Sequence, residues 1–155
     1  MKETRNILVT GGAGYIGSHT VVELIQRGYN PIIVDDFRNS SSEVIDGIEA
    51  IVGTRPVTYE LDVTCKSDLS KVFATHDLDG VIHFAAYKAV GESVDHPLMY
   101  YRNNVDGLIN CLELSEVFGV KNFVFSSSCT VYGQPKESSI VTEDTPIQEA
   151  NSPYG

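Results

Sequence analysis

Three glycines standing where a buried strand turns into a helix leave few folds open to this chain. Gly12, Gly14 and Gly17 satisfy G-x-G-x-x-G, behind the apolar run Ile7-Leu8-Val9 and ahead of a segment with helical periodicity. In that context one glycine makes a tight turn, the next lets backbone approach an anion, and the third lets helix pack closely on strand. Gly11 extends the same turn, and Tyr15 and Ile16 open the helix whose free N–H groups and positive dipole end would hold a dinucleotide's phosphates without a lysine.

Eighteen residues past Gly17, a second buried run, Ile32-Ile33-Val34, ends in Asp35-Asp36. That offset is close to the ~20 residues at which a carboxylate meets the ribose hydroxyls of NAD. Two adjacent carboxylates repel a 2′-phosphate and favour NAD over NADP, with Arg38 as the feature that speaks for NADP.

The chain goes on alternating short apolar runs with helical segments. Strands are expected at Asn6–Thr10, Pro31–Asp35, Val57–Leu61, Gly80–Phe84 and Asn122–Ser126. Helices are expected at Tyr15–Arg27 closed by Gly28, at Glu43–Val52 with capping hydroxyls from Asn39–Ser42, at Lys66–Thr75, and from Pro97 to about Phe118. Such alternation predicts an α/β fold, a doubly wound parallel sheet of Rossmann type with strand order 3-2-1-4-5. At 155 residues the chain reads as one domain, residues 1–155.

A formal net charge of −10 argues against nucleic acid or an anionic membrane surface as the main partner. Met1 to Arg5 leads straight into the first strand and reads as neither signal peptide nor membrane span, so a cytoplasmic protein is expected. Cys65, Cys111 and Cys129 are widely spaced and odd in number, as reduced thiols are, and the four histidines show no metal-ligand spacing, so no metal is expected.

In a doubly wound sheet the ligand lies outside the carboxyl ends of the strands. Those ends carry Asp62-Val63, Phe84-Ala85-Ala86-Tyr87-Lys88 and Ser126 through Gly133. Asp62 either borders the adenine or caps the next helix. Ala85 and Ala86 are small enough for close approach of a cofactor, while Lys88 either meets the nicotinamide ribose or is a solvated loop charge. Three serines in a row at that edge favour polar substrate contacts.

Taken together, the cofactor turn Gly11 to His19, Lys88-Ala89-Val90-Gly91-Glu92-Ser93, Tyr100-Tyr101 with Asn103-Asn104, Ser126 through Gly133 and Ser152-Pro153-Tyr154-Gly155 resemble, in order, the UDP-glucose (UDP-galactose) 4-epimerase family. These are extended short-chain dehydrogenases/reductases, and the resemblance covers essentially the whole chain. It implies tightly bound NAD, with Tyr154 taking the proton from the sugar 4-hydroxyl and Ser128 hydrogen-bonding the reacting oxygen. It further implies cofactor contacts from Gly11, Gly14, Tyr15, Ile16, Gly17, Asp35, Asn39, Ser40, Asp62, Val63, Phe84, Ala85, Ala86, Lys88, Asn103 and Ser126. A UDP-hexose substrate would meet Lys88, Ser128 and Tyr154, and the full-length parent is expected to be a homodimer.

The chain departs from the family pattern in four places. Asp36 stands where asparagine is frequent, and Tyr87 and Cys129 where leucine and alanine are common. The family's Y-x-x-x-K pair would place a lysine beyond Gly155, so this chain is expected to be an N-terminal part without the substrate domain, and by itself inactive. The face of the Pro97–Phe118 segment that pairs with a later helix in the family is then expected to be apolar and exposed. Other readings are a different UDP-sugar epimerase or decarboxylase of the superfamily, and a non-catalytic NAD-binding module. A 4,6-dehydratase needs an acid near the serine block, which Cys129-Thr130-Val131 does not offer.

Overall fold

The computed structural model describes residues 4–133 and 140–155. Met1–Glu3, read above for targeting signals, lie outside the described residues. Strand β1 (Asn6–Thr10) is the middle of a five-stranded parallel sheet. Its register places Leu8 beside Ile32 of β2 (Asn30–Asp35) and beside Val81 of β4 (Leu78–His83). Strands β3 (Val57–Glu60) and β5 (Asn122–Phe125) pair outside these, giving the order β3-β2-β1-β4-β5 that the sequence predicts.

Both faces of the sheet are covered, which is why the inner strands read as unbroken apolar runs. Successive side chains point to opposite faces. Leu8, Ile32, Val34 and Val81 therefore pack with Leu69, Val72 and Phe73 of α3 (Lys66–Thr75) and Cys111 and Leu114 of α6 (Gly107–Phe118). Val9 and Ile33 pack on the other face with Val21 of α1 (Tyr15–Gln26) and Ile45 and Ile48 of α2 (Glu43–Val52). Helix α2 ends on Gly53 in the left-handed conformation (φ 74°), as its stop signal implies. Its capping hydroxyl comes from Ser41, whose Oγ accepts from the Glu43 N–H at 3.3 Å, while Ser42 makes no side-chain cap.

The helix expected from Pro97 to Phe118 spans those residues but is not α-helical throughout. Helix α5 (Pro97–Tyr100) passes into a π-helical stretch, Tyr101–Asp106, before α6 begins. A separate helix α4 (Val90–Asp95) precedes it, and a 3₁₀ turn covers Cys129–Tyr132. Strand β4 starts at Leu78 because Leu78 pairs with Asn6 across an irregularity in the ladder. The face of this helical segment carrying Leu98, Tyr101, Val105, Ile109 and Leu112 is exposed, as expected.

Candidate functional site

Over the carboxyl ends of the strands lies a cleft of about 310 Å³. Its floor is the glycine turn. Gly11 adopts φ +69°, and a Cβ there would stand 2.7 Å from the Ala85 nitrogen. Gly11, with its left-handed backbone, thus makes the tight turn that the spacing assigned to Gly12. A Cβ on Gly12 would press on the Ile33 side chain at 2.9 Å, and one on Gly17 would lie 2.1 Å from the Gly11 carbonyl oxygen. Gly14 is different. Its backbone is extended (φ −69°, ψ 171°), and a Cβ there would meet only the Gly11 oxygen at 3.2 Å. The space in front of Gly14 is left to a ligand, beside first-turn N–H groups that have no partner within α1.

Asp35 joins this turn to the next loop. Its Oδ2 accepts the Ala13 N–H at 2.9 Å, and its Oδ1 accepts the Phe37 N–H at 3.0 Å and the Ser40 hydroxyl at 2.8 Å. A carboxylate offers about four lone-pair positions, so a ribose hydroxyl would share an oxygen already braced. Phe37 carries φ 54°, a left-handed conformation uncommon for a bulky residue, and so lets the loop bend back over the acid.

Asp62 lines the cleft, while the N-cap of α3 is Cys65, which has no side-chain cap, so Asp62 is not the helix cap. Its Oδ1 accepts the Thr64 N–H at 2.8 Å and the Thr64 hydroxyl at 2.7 Å, bracing the entry to α3. Burial pushes its carboxyl up, but the Thr64 donors and the Arg38 charge outweigh that and hold it below the usual value. Arg38, the feature that spoke for NADP, does not line the cleft. Its Nη2 is 2.8 Å from Asp62 Oδ2, its Nε is 3.2 Å from Asp36 Oδ2, and its Nη1 donates to the Tyr87 hydroxyl.

At the other end, Phe84, Ala85, Ala86, Lys88, Asn103, Ser126 and Tyr154 line the same cleft. The structure therefore brings together Gly11, Gly14, Tyr15, Ile16, Gly17, Asp35, Asn39, Ser40, Asp62 and Val63 with that second group. Ser128 is the exception. Its Oγ accepts from the Thr130 N–H at 3.3 Å and hydroxyl at 2.9 Å, capping the 3₁₀ turn, and it is not among the residues lining the cleft. The two other serines of the block, Ser126 and Ser127, do line it.

Several residues have parts that sequence reading missed. Asn104, in the π stretch, accepts the Tyr87 N–H at 2.8 Å and donates to the Tyr87 carbonyl at 2.9 Å, fixing the cleft loop as a strand partner would. Tyr100 is buried. Its hydroxyl donates to Glu92 at 2.7 Å and accepts the Ala89 N–H at 3.0 Å, and its ring meets those of Tyr87 and Tyr154 edge-on. The only available signal was the polar pair Asn103-Asn104 within an otherwise helical pattern, since π turns recur at functional sites. Beneath the loop, His83 is buried with Nδ1 2.7 Å from Thr10 Oγ1, and burial lowers its pKa to about 4, leaving a neutral ring. Burial likewise pushes the neighbouring Cys111 thiol up to about 12.

A cradle of unsubstituted backbone facing a helix N-terminus, with a carboxylate at the end of the second strand, defines a dinucleotide-binding α/β domain. Residues 7–155 match the model of the NAD dependent epimerase/dehydratase family, and the chain belongs to that family. The residues present fit its dinucleotide, NAD. The chain is 51% identical over 149 residues to UDP-glucose 4-epimerase of Bacillus subtilis, covering 96% of itself and 43% of that protein. It is 48% identical over 151 residues to a UDP-glucose 4-epimerase of Schizosaccharomyces pombe, covering 96% of itself and 42% of the relative. Among solved structures it resembles UDP-glucose 4-epimerase of Bifidobacterium longum in complex with NAD+ and UDP. That match has a TM-score of 0.91 at 44% identity and covers 96% of this chain and 44% of the other. The enzyme of Stenotrophomonas maltophila with bound NAD and formylated UDP-arabinopyranose gives 0.90 at 44% identity, over 97% and 44%. The chain thus spans less than half the length of these relatives.

Proposed function

We propose that this chain is the NAD-binding part of a UDP-glucose 4-epimerase that inverts C4 of a UDP-hexose through a 4-keto intermediate. The observation that carries the reading is one continuous cleft, with an anion cradle of bare backbone at Gly14 to Gly17 and with Lys88, Ser126 and Tyr154 at its other end. The four UDP-glucose 4-epimerase relatives and structures named above support the substrate.

NAD bound here supplies a hydride acceptor and donor at the sugar C4. The residues of the chain do the rest. The first turn of α1 holds the pyrophosphate, and Asp35 and Asp62 receive the adenosine half. Tyr154, its N–H 3.3 Å from Ser93 Oγ and its ring edge-on to Tyr100, takes the proton from the 4-hydroxyl. Ser128 assists at the same oxygen once substrate draws its hydroxyl from Thr130. In the family pattern Y-x-x-x-K a lysine four residues beyond the tyrosine would stand beside it and favour its phenolate.

Since the chain spans 42% and 43% of the two named curated relatives, we assign activity to a longer parent with a C-terminal substrate domain, cytoplasmic and acting in galactose metabolism. We take that parent to be a homodimer, as the family resemblance implies. The 155-residue chain alone should bind NAD weakly and not turn over. Coupled assay of UDP-galactose conversion by the chain and by its extended parent tests this. Activity in the parent alone is expected. Turnover by the short chain would refute the fragment reading, and an inactive parent that binds NAD would leave a non-catalytic module.

A further inference from the structure

Arg38 is bonded to residues of the cleft wall but does not itself line the cleft. Arg38 stands three residues past Asp35, in the region where an arginine of a dinucleotide site meets the 2′-phosphate of NADP. All three of its partners, Asp36, Asp62 and Tyr87, line the cleft, and Arg38 does not. They come from three loops, those following β2, β3 and β4, and the ends of β2 and β1 lie between the last two.

The three partners do not hold the guanidinium equally. Asp36 and Asp62 are partly exposed, and carboxylate pairs of that kind contribute little and are readily exchanged. A phosphate, as a stronger bidentate acceptor, would compete well for such an arginine. Tyr87 is anchored more firmly, its backbone clamped on both sides by Asn104 and its ring set edge-on against buried Tyr100. The Tyr87 hydroxyl thus gives Nη1 a firmly placed partner. Inside the cleft the adenosine end then presents the carboxylates of Asp35, Asp36 and Asp62 with no lysine or arginine among them.

We propose that Tyr87 is a specificity-determining residue for the cofactor, acting through Arg38. By holding the guanidinium outside the cleft wall it keeps the site selective for a dinucleotide with an unphosphorylated adenosine ribose. Tyr87 is a positioning residue in this respect. The proposal rests on reading the cleft as a dinucleotide site.

The test is a fluorescence titration of the chain with NADH and with NADPH, for wild type, Tyr87→Phe, Arg38→Gln and the double variant. Tyr87→Phe keeps the ring on Tyr100 and removes only the hydroxyl. It should tighten NADPH binding about tenfold while leaving NADH within about twofold, because a freed guanidinium can turn to the 2′-phosphate. Adding Arg38→Gln should abolish the gain, which a merely structural role for Tyr87 would not produce. An unchanged NADPH to NADH ratio in Tyr87→Phe, or a gain that survives Arg38→Gln, overturns the proposal while the dinucleotide reading stands. Wild-type protein that binds neither dinucleotide overturns that reading, and the proposal with it.

Discussion

Replacing Gly17 by alanine tests the floor of the cleft most sharply. The added Cβ would lie 2.1 Å from the Gly11 carbonyl oxygen, 2.9 Å from Gly12 Cα and 3.0 Å from Gly11 carbonyl carbon. A carbon and an oxygen need roughly 3 Å or more, so the carbonyl must retreat by about 1 Å. It has nowhere to go. Gly11 is tied by its N–H to the Val34 carbonyl at 2.8 Å, and its oxygen accepts the Gly14 N–H at 3.1 Å. Overpacking costs about 1–3 kcal/mol and a strained turn hydrogen bond about 1 more, so Gly17→Ala should lose about 3 kcal/mol. For a domain of this size that lowers Tm by roughly 6–12 °C. Gly14→Ala is the control, because its Cβ meets only one atom, at 3.2 Å, in an extended backbone that alanine adopts freely. It should melt within about 2 °C of wild type yet lose NADH binding, since its methyl fills the space before the free N–H groups. Thermal denaturation and NADH fluorescence read both effects. Equal melting of the two variants, or NADH binding by Gly14→Ala as strong as that of wild type, would refute the division of roles.

Three further outcomes are expected. His83, lowered by burial from 6.5 to about 4, stays neutral in the fold while the unfolded chain takes up a proton between those values. Its contribution is complete above about pH 6.5 and is lost as pH falls toward 4, an effect of about 3 kcal/mol at 1.36 per unit. Denaturant titrations at pH 7 and 4.5 should show a smaller loss for His83→Asn than for wild type, and equal losses would count against it. Asp35→Asn turns one acceptor oxygen into a donor facing N–H groups or the Ser40 hydroxyl. It should weaken NADH binding about tenfold or more, and an unchanged affinity would show that the brace is dispensable. Asn104→Ala removes both bonds to the Tyr87 backbone and should cost about 2 kcal/mol in denaturant titration, with faster amide hydrogen exchange at Tyr87 as the local signature.

Much of this architecture was legible from the residues because its causes are local. Ile7-Leu8-Val9 and Ile32-Ile33-Val34 read as strands covered on both faces, and Gly28 and Gly53 stop helices at left-handed positions wherever the chain later packs. The glycine turn, the acid after the second strand and the strand order follow from backbone geometry and the right-handed crossover. The helix from Pro97 to Phe118 was legible, but its π stretch was not, because a local change in backbone hydrogen bonding leaves the run helical and writes no separate residue pattern.

What tertiary structure alone decided is where polar side chains spend their hydrogen bonds. Asp35 braces Ala13, Phe37 and Ser40, and Ser128 turns to Thr130 rather than to the cleft. Arg38 donates to Tyr87, forty-nine residues on, and is not among the residues lining the cleft. Periods of two and 3.6 residues are properties of the backbone and are written along the chain. A hydrogen-bond partner across the sheet exists only once the strand ends have been brought side by side.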